Sequence, residues 1–243
     1  MTKHKPQTKL LPQVASNQLP VPEYLKVHYW WAYVHPKAVR FFERQWLVNL
    51  ILWGNYNRLR DAALNLLGAL VKGKTLQVAC AYGDITPLLV KRLDKQATLD
   101  IIDILPVQLG NLSAKLPHND RIRLHCMNSA KLEFADAYFD QVLLFFLLHE
   151  QPKDVREKTM QEAARVLKPG GRLVVVDYSK PAWWNPFRYT WRYVLELLEP
   201  FANSFFKNGL QVQTYYQNDS IRVIKIIRFF GDTFEIVLLD KRF

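Results

Sequence analysis

Short apolar runs alternate with amphipathic segments along most of the chain, beginning after Gly73. The apolar runs predict buried strands, and the segments with apolar residues three or four apart predict helices. The predicted strands are 75–80, 97–104, 121–126, 140–147 and 172–178, and the predicted helices are 86–93, 107–116 and 153–167. This alternation is typical of an α/β fold, a mainly parallel sheet with helices on both faces, whose ligands bind beyond the carboxyl ends of the strands.

Three later strand-like runs, at 210–217, 221–229 and 234–240, complete the sheet or form an antiparallel edge. We expect a sheet of seven strands, one fewer than these eight strand-like runs. Between the fifth strand and these runs, Asn185 as N-cap and Pro186 as first helical residue predict a further helix.

The chain before Gly73 divides into two parts. Residues 1–20 are polar and rich in proline, which predicts a mobile tail. Residues 21–72 are crowded with aromatic side chains and predict a helical extension, with one helix from Pro36 to about Trp53 and another over 57–67. The first of these helices is apolar on more than one face, so protein, ligand or lipid must cover it on several sides. The main domain is then 73–243.

Composition narrows the class of protein. With 243 residues, 49% of them hydrophobic, the chain fills one core. Two cysteines, Cys80 and Cys126, cannot form a disulfide framework or a four-cysteine zinc site, so we expect a reducing compartment, cytoplasmic or on the matrix side of an organelle. No signal peptide is apparent, and the apolar run at 46–53 is too short to cross a bilayer. The net charge of +11 favours an anionic partner such as nucleic acid or a membrane surface.

The segment "TLQVACAYGD" at 75–84 stands where a nucleotide-binding loop follows the first strand. Such loops are usually rich in glycine, which lets the backbone approach the ligand. Here Ala79, Ala81 and Tyr82 stand before the turn at Gly83. We predict that this loop, together with Gln77, still contacts a cofactor.

Two strand ends add polar groups that suit an adenosine. Asp103 ends the second strand 20 residues after Gly83, where a carboxylate accepts hydrogen bonds from ribose hydroxyls. Asn128 ends the third strand, where its amide offers adenine a donor and an acceptor. Ile104 and Ser129, next to them, complete the predicted cofactor site. The alternatives are a solvated aspartate at a strand end and an asparagine in a turn.

A further motif is the Pro-Gly-Gly turn in "RVLKPGGRLVVVDY" at 165–178. With this turn and the residues above, the chain from 73 to 230 resembles the class I S-adenosylmethionine (SAM)-dependent methyltransferases, which have a Rossmann-like fold. A narrower resemblance covers about residues 21–230. The segments "YWWAYVHPKAVRFFERQWLVNLILWGNY", "LQVACAYGD", "DILPVQLGNL" and "FFLLHEQP" are similar to the rhodoquinone-biosynthesis protein family (RquA). This resemblance implies conversion of ubiquinone to rhodoquinone, in which an amino group replaces a ring methoxy group, with SAM as amino donor and Mn²⁺ assisting.

Within that expectation, the altered loop presents the amino group of SAM rather than its methyl group. We predict four catalytic residues at the strand ends: Tyr82, His149, Glu150 and Tyr178. A histidine there can act as base, metal ligand or donor to a quinone carbonyl. The candidate manganese ligands, not ranked further, are Asp84, His149, Glu150 and Asp177. The alternatives are a histidine bonded to backbone and a core tyrosine.

The aromatic segments 24–56 and 183–206 flank the sheet in sequence, and we predict that they fold together as a lid that contacts an anionic membrane and admits a polyprenyl quinone. Their alternative is ordinary core packing. Three other functions compete: an RNA methyltransferase, a scaffold without activity, and conventional methylation of a quinone precursor or other small molecule. No nucleic-acid-binding module is evident, so nucleic acid is not an expected partner.

Overall fold

The computed structural model describes residues 19–29, 39, 41–189, 201–216 and 220–243. In the described chain the helices are α1 Glu23–His28, α2 Gln45–Ile51, α3 Tyr56–Leu67, α4 Ile85–Lys91, α5 Pro106–Lys115, α6 Lys153–Val166 and α7 Asn203–Asn208. The strands are β1 Lys74–Val78, β2 Thr98–Asp103, β3 Ile122–Cys126, β4 Phe139–Phe145, β5 Leu167–Tyr178, β6 Ile221–Phe229 and β7 Phe234–Lys241.

The seven strands form one sheet in the order β3-β2-β1-β4-β5-β7-β6. β1 to β5 run parallel, and β7 lies antiparallel between β5 and β6. β1, β2, β4 and most of β5 are buried, as expected of strands covered on both faces. The predicted seven-stranded, mainly parallel sheet is therefore confirmed, and it places the carboxyl ends of β1 to β5 at one edge.

Two strand predictions differ from the structure. β5 begins at Leu167, before the Pro-Gly-Gly turn, because Leu167 already pairs with Phe139 and the register then shifts. The predicted strand at 210–217 is wrong: Val212–Tyr215 is a 3₁₀ turn. Leu210 and Val212 are buried, whereas Gln211 and Gln213 are exposed. The alternation thus comes from a turn packed on the core, which strand periodicity resembles.

The helices α1, α2 and α3 lie within the predicted extension. The predicted start at Pro36 lies outside the described residues, as do the tail up to residue 18 and the segment 190–200. α2 begins only at Gln45, because Arg44 is extended. In the part of the chain that the structure describes, no helix is long and apolar enough to span a membrane.

The two aromatic segments contact each other at two places. The ring centroids of Trp53 and Phe187 are 4.5 Å apart, and those of Tyr24 and Phe201 are 6.3 Å apart. Asn185 begins the second segment, and its Oδ1 accepts a hydrogen bond from the Phe187 N–H at 3.0 Å. The segments therefore pack together, and their function as a lid stays a prediction.

Candidate active site

A cavity of about 490 Å³ opens at the carboxyl ends of β1 to β5. Its volume is typical of a site for a small ligand. Side chains of the extension, among them Tyr24, Phe42 and Leu52, line one side of it, and the strand ends line the other. The extension therefore contributes to the walls of this cavity.

The loop after β1 is strained at the position of its first alanine. Ala79 has φ +71°, a left-handed conformation that costs a residue with a side chain about 1–2 kcal/mol. The Ala79 carbonyl accepts a hydrogen bond from Gln77 Nε2 at 3.1 Å, and Gln77 Oε1 accepts one from the Thr86 hydroxyl at 3.0 Å. Ala79 and Ala81 line the cavity. Gln77 is 1% exposed and is not among the residues that line the cavity. It supports the loop from beneath, and its contact with a cofactor stays a prediction.

The turn at the end of this loop is held by the extension. Gly83 has φ +86°, and a Cβ there would lie 2.4 Å from the Tyr56 hydroxyl. That hydroxyl accepts hydrogen bonds from the N–H groups of Asp84 (2.8 Å) and Ile85 (3.1 Å). The Gly83 N–H donates to Glu43 Oε1 at 3.1 Å. Gly83 thus shapes the loop, although it is not among the residues that line the cavity.

Asp103 lies at the end of β2 with its carboxylate almost fully buried. Its Oδ2 accepts a hydrogen bond from the Cys80 N–H and its Oδ1 one from the Leu105 N–H, both at 2.8 Å. Burial raises the pKa of Asp103 to about 6, against the opposite effect of these N–H donors. The Cys80 thiol and the Ile104 N–H also bond to this carboxylate. Asp103 lines the cavity, where hydroxyls of a ligand can approach it. Ile104 lines the cavity beside it.

Asn128 and Ser129 follow β3 and line the same cavity. Asn128 Oδ1 accepts a hydrogen bond from the Ala130 N–H at 2.9 Å. This bond forms a turn, which was the alternative role considered for Asn128. The Ser129 hydroxyl lies 3.0 Å from the Thr159 hydroxyl and accepts a bond from Gln151 Nε2 at 3.0 Å. The structure therefore brings both residues to the predicted site next to Asp103.

His149 lies in a 3₁₀ turn, Leu148–Glu150, that follows β4. Its Nδ1 is 2.8 Å from Asp177 Oδ1, and both side chains are buried. Asp177 Oδ2 accepts hydrogen bonds from the N–H groups of Leu148 (2.9 Å) and His149 (3.3 Å). With Nδ1–H donated to the carboxylate, a neutral ring carries its lone pair on Nε2, the arrangement of a general base.

The aromatic residues around His149 have different environments. Tyr178 is 2% exposed and packs edge-on against the His149 ring, with 4.9 Å between centroids. The Tyr82 hydroxyl accepts a hydrogen bond from Gln108 Nε2 at 2.9 Å. Burial raises the pKa of Tyr82. The phenol therefore stays protonated at neutral pH, the form that can donate a hydrogen bond.

The predicted manganese ligands do not form a metal centre. No group of three or more His, Cys, Asp and Glu side chains that could hold a metal ion occurs among the described residues. Asp84 instead pairs with Arg60, at 2.8 Å between Oδ1 and the guanidinium. Asp177 is bonded to His149 and to backbone N–H groups. The four predicted ligands therefore do not form a manganese site in the described structure, and we assign no reaction step to a metal ion.

The profile of the ubiE/COQ5 methyltransferase family matches residues 45–234. The chain belongs to this family. Its members are class I SAM-dependent methyltransferases, which makes SAM the cofactor expected at the cavity. Asp103, Asn128 and Ser129, which the sequence selected as cofactor residues, line that cavity together.

Curated relatives agree with the family, and solved structures agree with the fold. Demethylmenaquinone methyltransferase of Bacillus subtilis is 25% identical over 174 residues, 71% of this chain and 73% of the relative. The ubiquinone/menaquinone biosynthesis C-methyltransferase UbiE of Vibrio campbellii is 30% identical over 139 residues, 56% of this chain and 53% of the relative. A SAM-dependent methyltransferase from Aquifex aeolicus has TM-score 0.58, 17% identity and covers 84% of this chain and 97% of its own. The [4+2]-cyclase SpnF has TM-score 0.55 and 15% identity, covering 76% of this chain and 80% of its own.

Several residues at the site were not predicted from the sequence. Gln108 and Gln151 line the cavity, and Glu43 and Tyr56 hold its loop. Gln151 lies two residues after His149, so its place beyond β4 was a usable signal. Glu43 and Tyr56 meet the loop only through long-range packing, for which the sequence has no local signal.

Proposed function

We propose that this protein uses SAM to modify the ring of a quinone. Names of relatives support the substrate class, because they act on menaquinone and ubiquinone precursors. The cavity supports it physically, because apolar side chains such as Phe42, Ile51 and Phe146 line it beside the cofactor residues. An apolar wall with a few polar groups suits a quinone ring with a hydrophobic tail.

The reaction that we propose is replacement of a methoxy group of ubiquinone by an amino group, which yields rhodoquinone. The observation that carries this proposal is the loop after β1, where Ala79 occupies a left-handed conformation and adds a methyl group to the cavity wall. Strained backbone of this kind concentrates at functional sites. It alters the surface against which the methionine half of SAM lies, in support of a changed presentation of its amino and methyl groups.

His149 supplies proton transfer in this proposal. An amine that adds to the carbon bearing methoxy must lose a proton, and the departing methoxide must gain one to leave as methanol. The bond between this nitrogen and the α-carbon of SAM must then break; loss of a β-proton from the same carbon chain balances this step and leaves the aminoquinone and an α,β-unsaturated acid. His149 lines the cavity, and Asp177 orients its ring. The buried carboxylate also stabilises the imidazolium that forms between the two transfers.

A second candidate reaction is C-methylation of a quinone precursor. The family and the names of relatives favour it more directly than they favour amino exchange. It would use the same residues, with His149 removing a proton from a ring hydroxyl so that the adjacent carbon attacks the methyl group. Fold cannot decide between the reactions, because related folds carry different chemistries.

The mass of the product separates the two reactions. Purified protein is incubated with SAM and either ubiquinone or a demethylated precursor, in the presence of Mn²⁺. Amino exchange lowers the mass of ubiquinone by about 15 Da, whereas methylation raises the mass of the precursor by about 14 Da. Product from the precursor alone would contradict the first reaction and support the second.

Cofactor affinity is expected to depend on the ionisation of Asp103. The pKa of Asp103 in the folded protein is about 6, above the ordinary 3.8, so above pH 6 the carboxylate is ionised and this buried charge destabilises the fold. The same ionised form accepts hydrogen bonds from the ribose hydroxyls. The affinity for S-adenosylhomocysteine, measured by calorimetry, should fall about tenfold from pH 7 to pH 5. Asp103→Asn should bind more weakly at pH 7 and lose this dependence. A variant with the wild-type slope would contradict the assignment.

We also propose that exposed tryptophans of the two aromatic segments contact an anionic membrane. Trp46, Trp183 and Trp184 are 59%, 76% and 62% exposed. Exposed tryptophans on a chain of net charge +11 suit an anionic lipid interface.

Substitution of these three tryptophans by serine should weaken binding to phosphatidylglycerol vesicles about tenfold or more. The matched control is Ile224→Ser with Ile226→Ser, which removes exposed apolar side chains from β6. Equal effects of both variants in a vesicle sedimentation assay would contradict membrane contact through these tryptophans.

A further inference from the structure

Gln151 has a side chain that is buried at the cavity with one of its two polar ends unmatched. The residue is 1% exposed and lines the cavity next to Ser129. Its Oε1 is buried and has no hydrogen-bond partner in the described part of the chain. A buried amide oxygen without a partner costs free energy, so its place in a ligand cavity points to a donor on the ligand.

The nitrogen end of the amide is already committed. Nε2 donates a hydrogen bond to Ser129 Oγ at 3.0 Å. Burial raises the pKa of the Tyr24 hydroxyl, and the hydrogen bond from Gln151 acts in the opposite direction, as a bond donated to that oxygen does. The two N–H groups therefore have acceptors in Ser129 and Tyr24, which fixes Oε1 as the group left to accept a bond.

The backbone that carries this side chain is held rigidly. The guanidinium of Arg156 is 6% exposed and donates to the Gln151 carbonyl and to the Leu148 carbonyl, both at 2.9 Å. It also reaches the Ser204 hydroxyl at 3.0 Å. Arg156 thus fixes both ends of the turn that contains His149, and with them the backbone from which the Gln151 side chain extends.

We infer that Gln151 selects adenine as the base of the cofactor, through a hydrogen bond from the exocyclic amino group to Oε1. This inference rests on the proposed use of SAM. With the ribose at Asp103, a base that lay against Asn128 and Ser129 would be beside Gln151, which contacts Ser129. Adenine carries an amino group at position 6, a donor, whereas hypoxanthine carries an oxygen there, which would face Oε1 as a second acceptor.

The test compares the affinities of the full chain for S-adenosylhomocysteine and S-inosylhomocysteine, by calorimetry. Wild type should prefer the adenine ligand about thirtyfold or more, because a site built for a donor rejects an acceptor strongly. Gln151→Met keeps the length of the side chain and removes both polar groups. It should weaken binding of the adenine ligand about tenfold and bring the two affinities within about threefold.

Gln108→Met is the matched control, because Gln108 lines the same cavity and its amide is bonded to Tyr82. It should change both affinities by the same factor. Equal wild-type affinities for the two ligands, or an unchanged preference in Gln151→Met, would overturn the inference while leaving SAM binding intact. No wild-type binding of S-adenosylhomocysteine would instead overturn the cofactor assignment, and the inference with it. The wild-type comparison needs no variant and stays decisive if Gln151→Met does not fold.

Discussion

His149→Gln is expected to lower turnover by about 10²–10⁴, the usual contribution of general acid–base catalysis. The side chain lines the cavity, and Asp177 Oδ1 lies 2.8 Å from its Nδ1, so Nε2 is the ring nitrogen that would take up and release the proton. Glutamine keeps polarity and approximate size but cannot transfer a proton near neutral pH. Because Asp103 and the loop after β1 are untouched, the affinity for S-adenosylhomocysteine should change less than about threefold.

His125→Gln is the matched control for this prediction. His125 lies on β3, and its Nε2 is 2.7 Å from Asp100 Oδ1, away from the residues that line the cavity. Its turnover should stay within about twofold of wild type. Product formation by His149→Gln at more than a third of the wild-type rate would show that His149 does not transfer the proton.

Gly83→Ala is expected to destabilise the protein by about 3–5 kcal/mol in urea unfolding. The new Cβ would lie 2.4 Å from the Tyr56 hydroxyl, and φ +86° adds about 1–2 kcal/mol of backbone strain. Movement of Tyr56 would also remove its hydrogen bonds with the N–H groups of Asp84 and Ile85. Cofactor affinity should fall with stability, because the loop loses its support.

Gly110→Ala is the control for that substitution. Gly110 lies inside α5, and a Cβ there meets nothing within 4 Å. Alanine should leave stability unchanged or raise it by up to about 1 kcal/mol, since glycine is unfavourable within a helix. Equal unfolding free energies for the two variants would contradict the tight approach of α3 to the loop.

The sequence predicted the parallel part of the fold well, because buried strands leave short apolar runs at regular spacing. Predicted and observed bounds of β2 differ by one residue at each end. The predicted strand at 210–217 was wrong because alternate burial also fits a packed 3₁₀ turn. The secondary structure of that segment depends on its tertiary contacts and not on its local sequence pattern.

The candidate site was predictable where it depends on strand order. Asp103 and Asn128 end or follow the adjacent strands β2 and β3, and His149 follows β4 on the other side of β1, so a parallel sheet brings them to one edge. Gln77 lies inside β1 beneath the loop and not in the cavity wall, because side chains alternate between the two faces along a strand. Glu43 and Tyr56 contact Gly83 from 40 and 27 residues away in the sequence. Contacts at such separations cannot be predicted from the local pattern of residues.

The source of the new ring substituent is the most direct test of the proposed reaction. The protein is incubated with ubiquinone, Mn²⁺ and SAM that carries ¹⁵N in its amino group, and the quinone product is analysed by mass spectrometry. With unlabelled SAM we expect a product about 15 Da lighter than ubiquinone. With labelled SAM the product should be about 1 Da heavier than the unlabelled product. A product of the same mass with labelled and unlabelled SAM, or no product from ubiquinone, would contradict amino transfer from SAM.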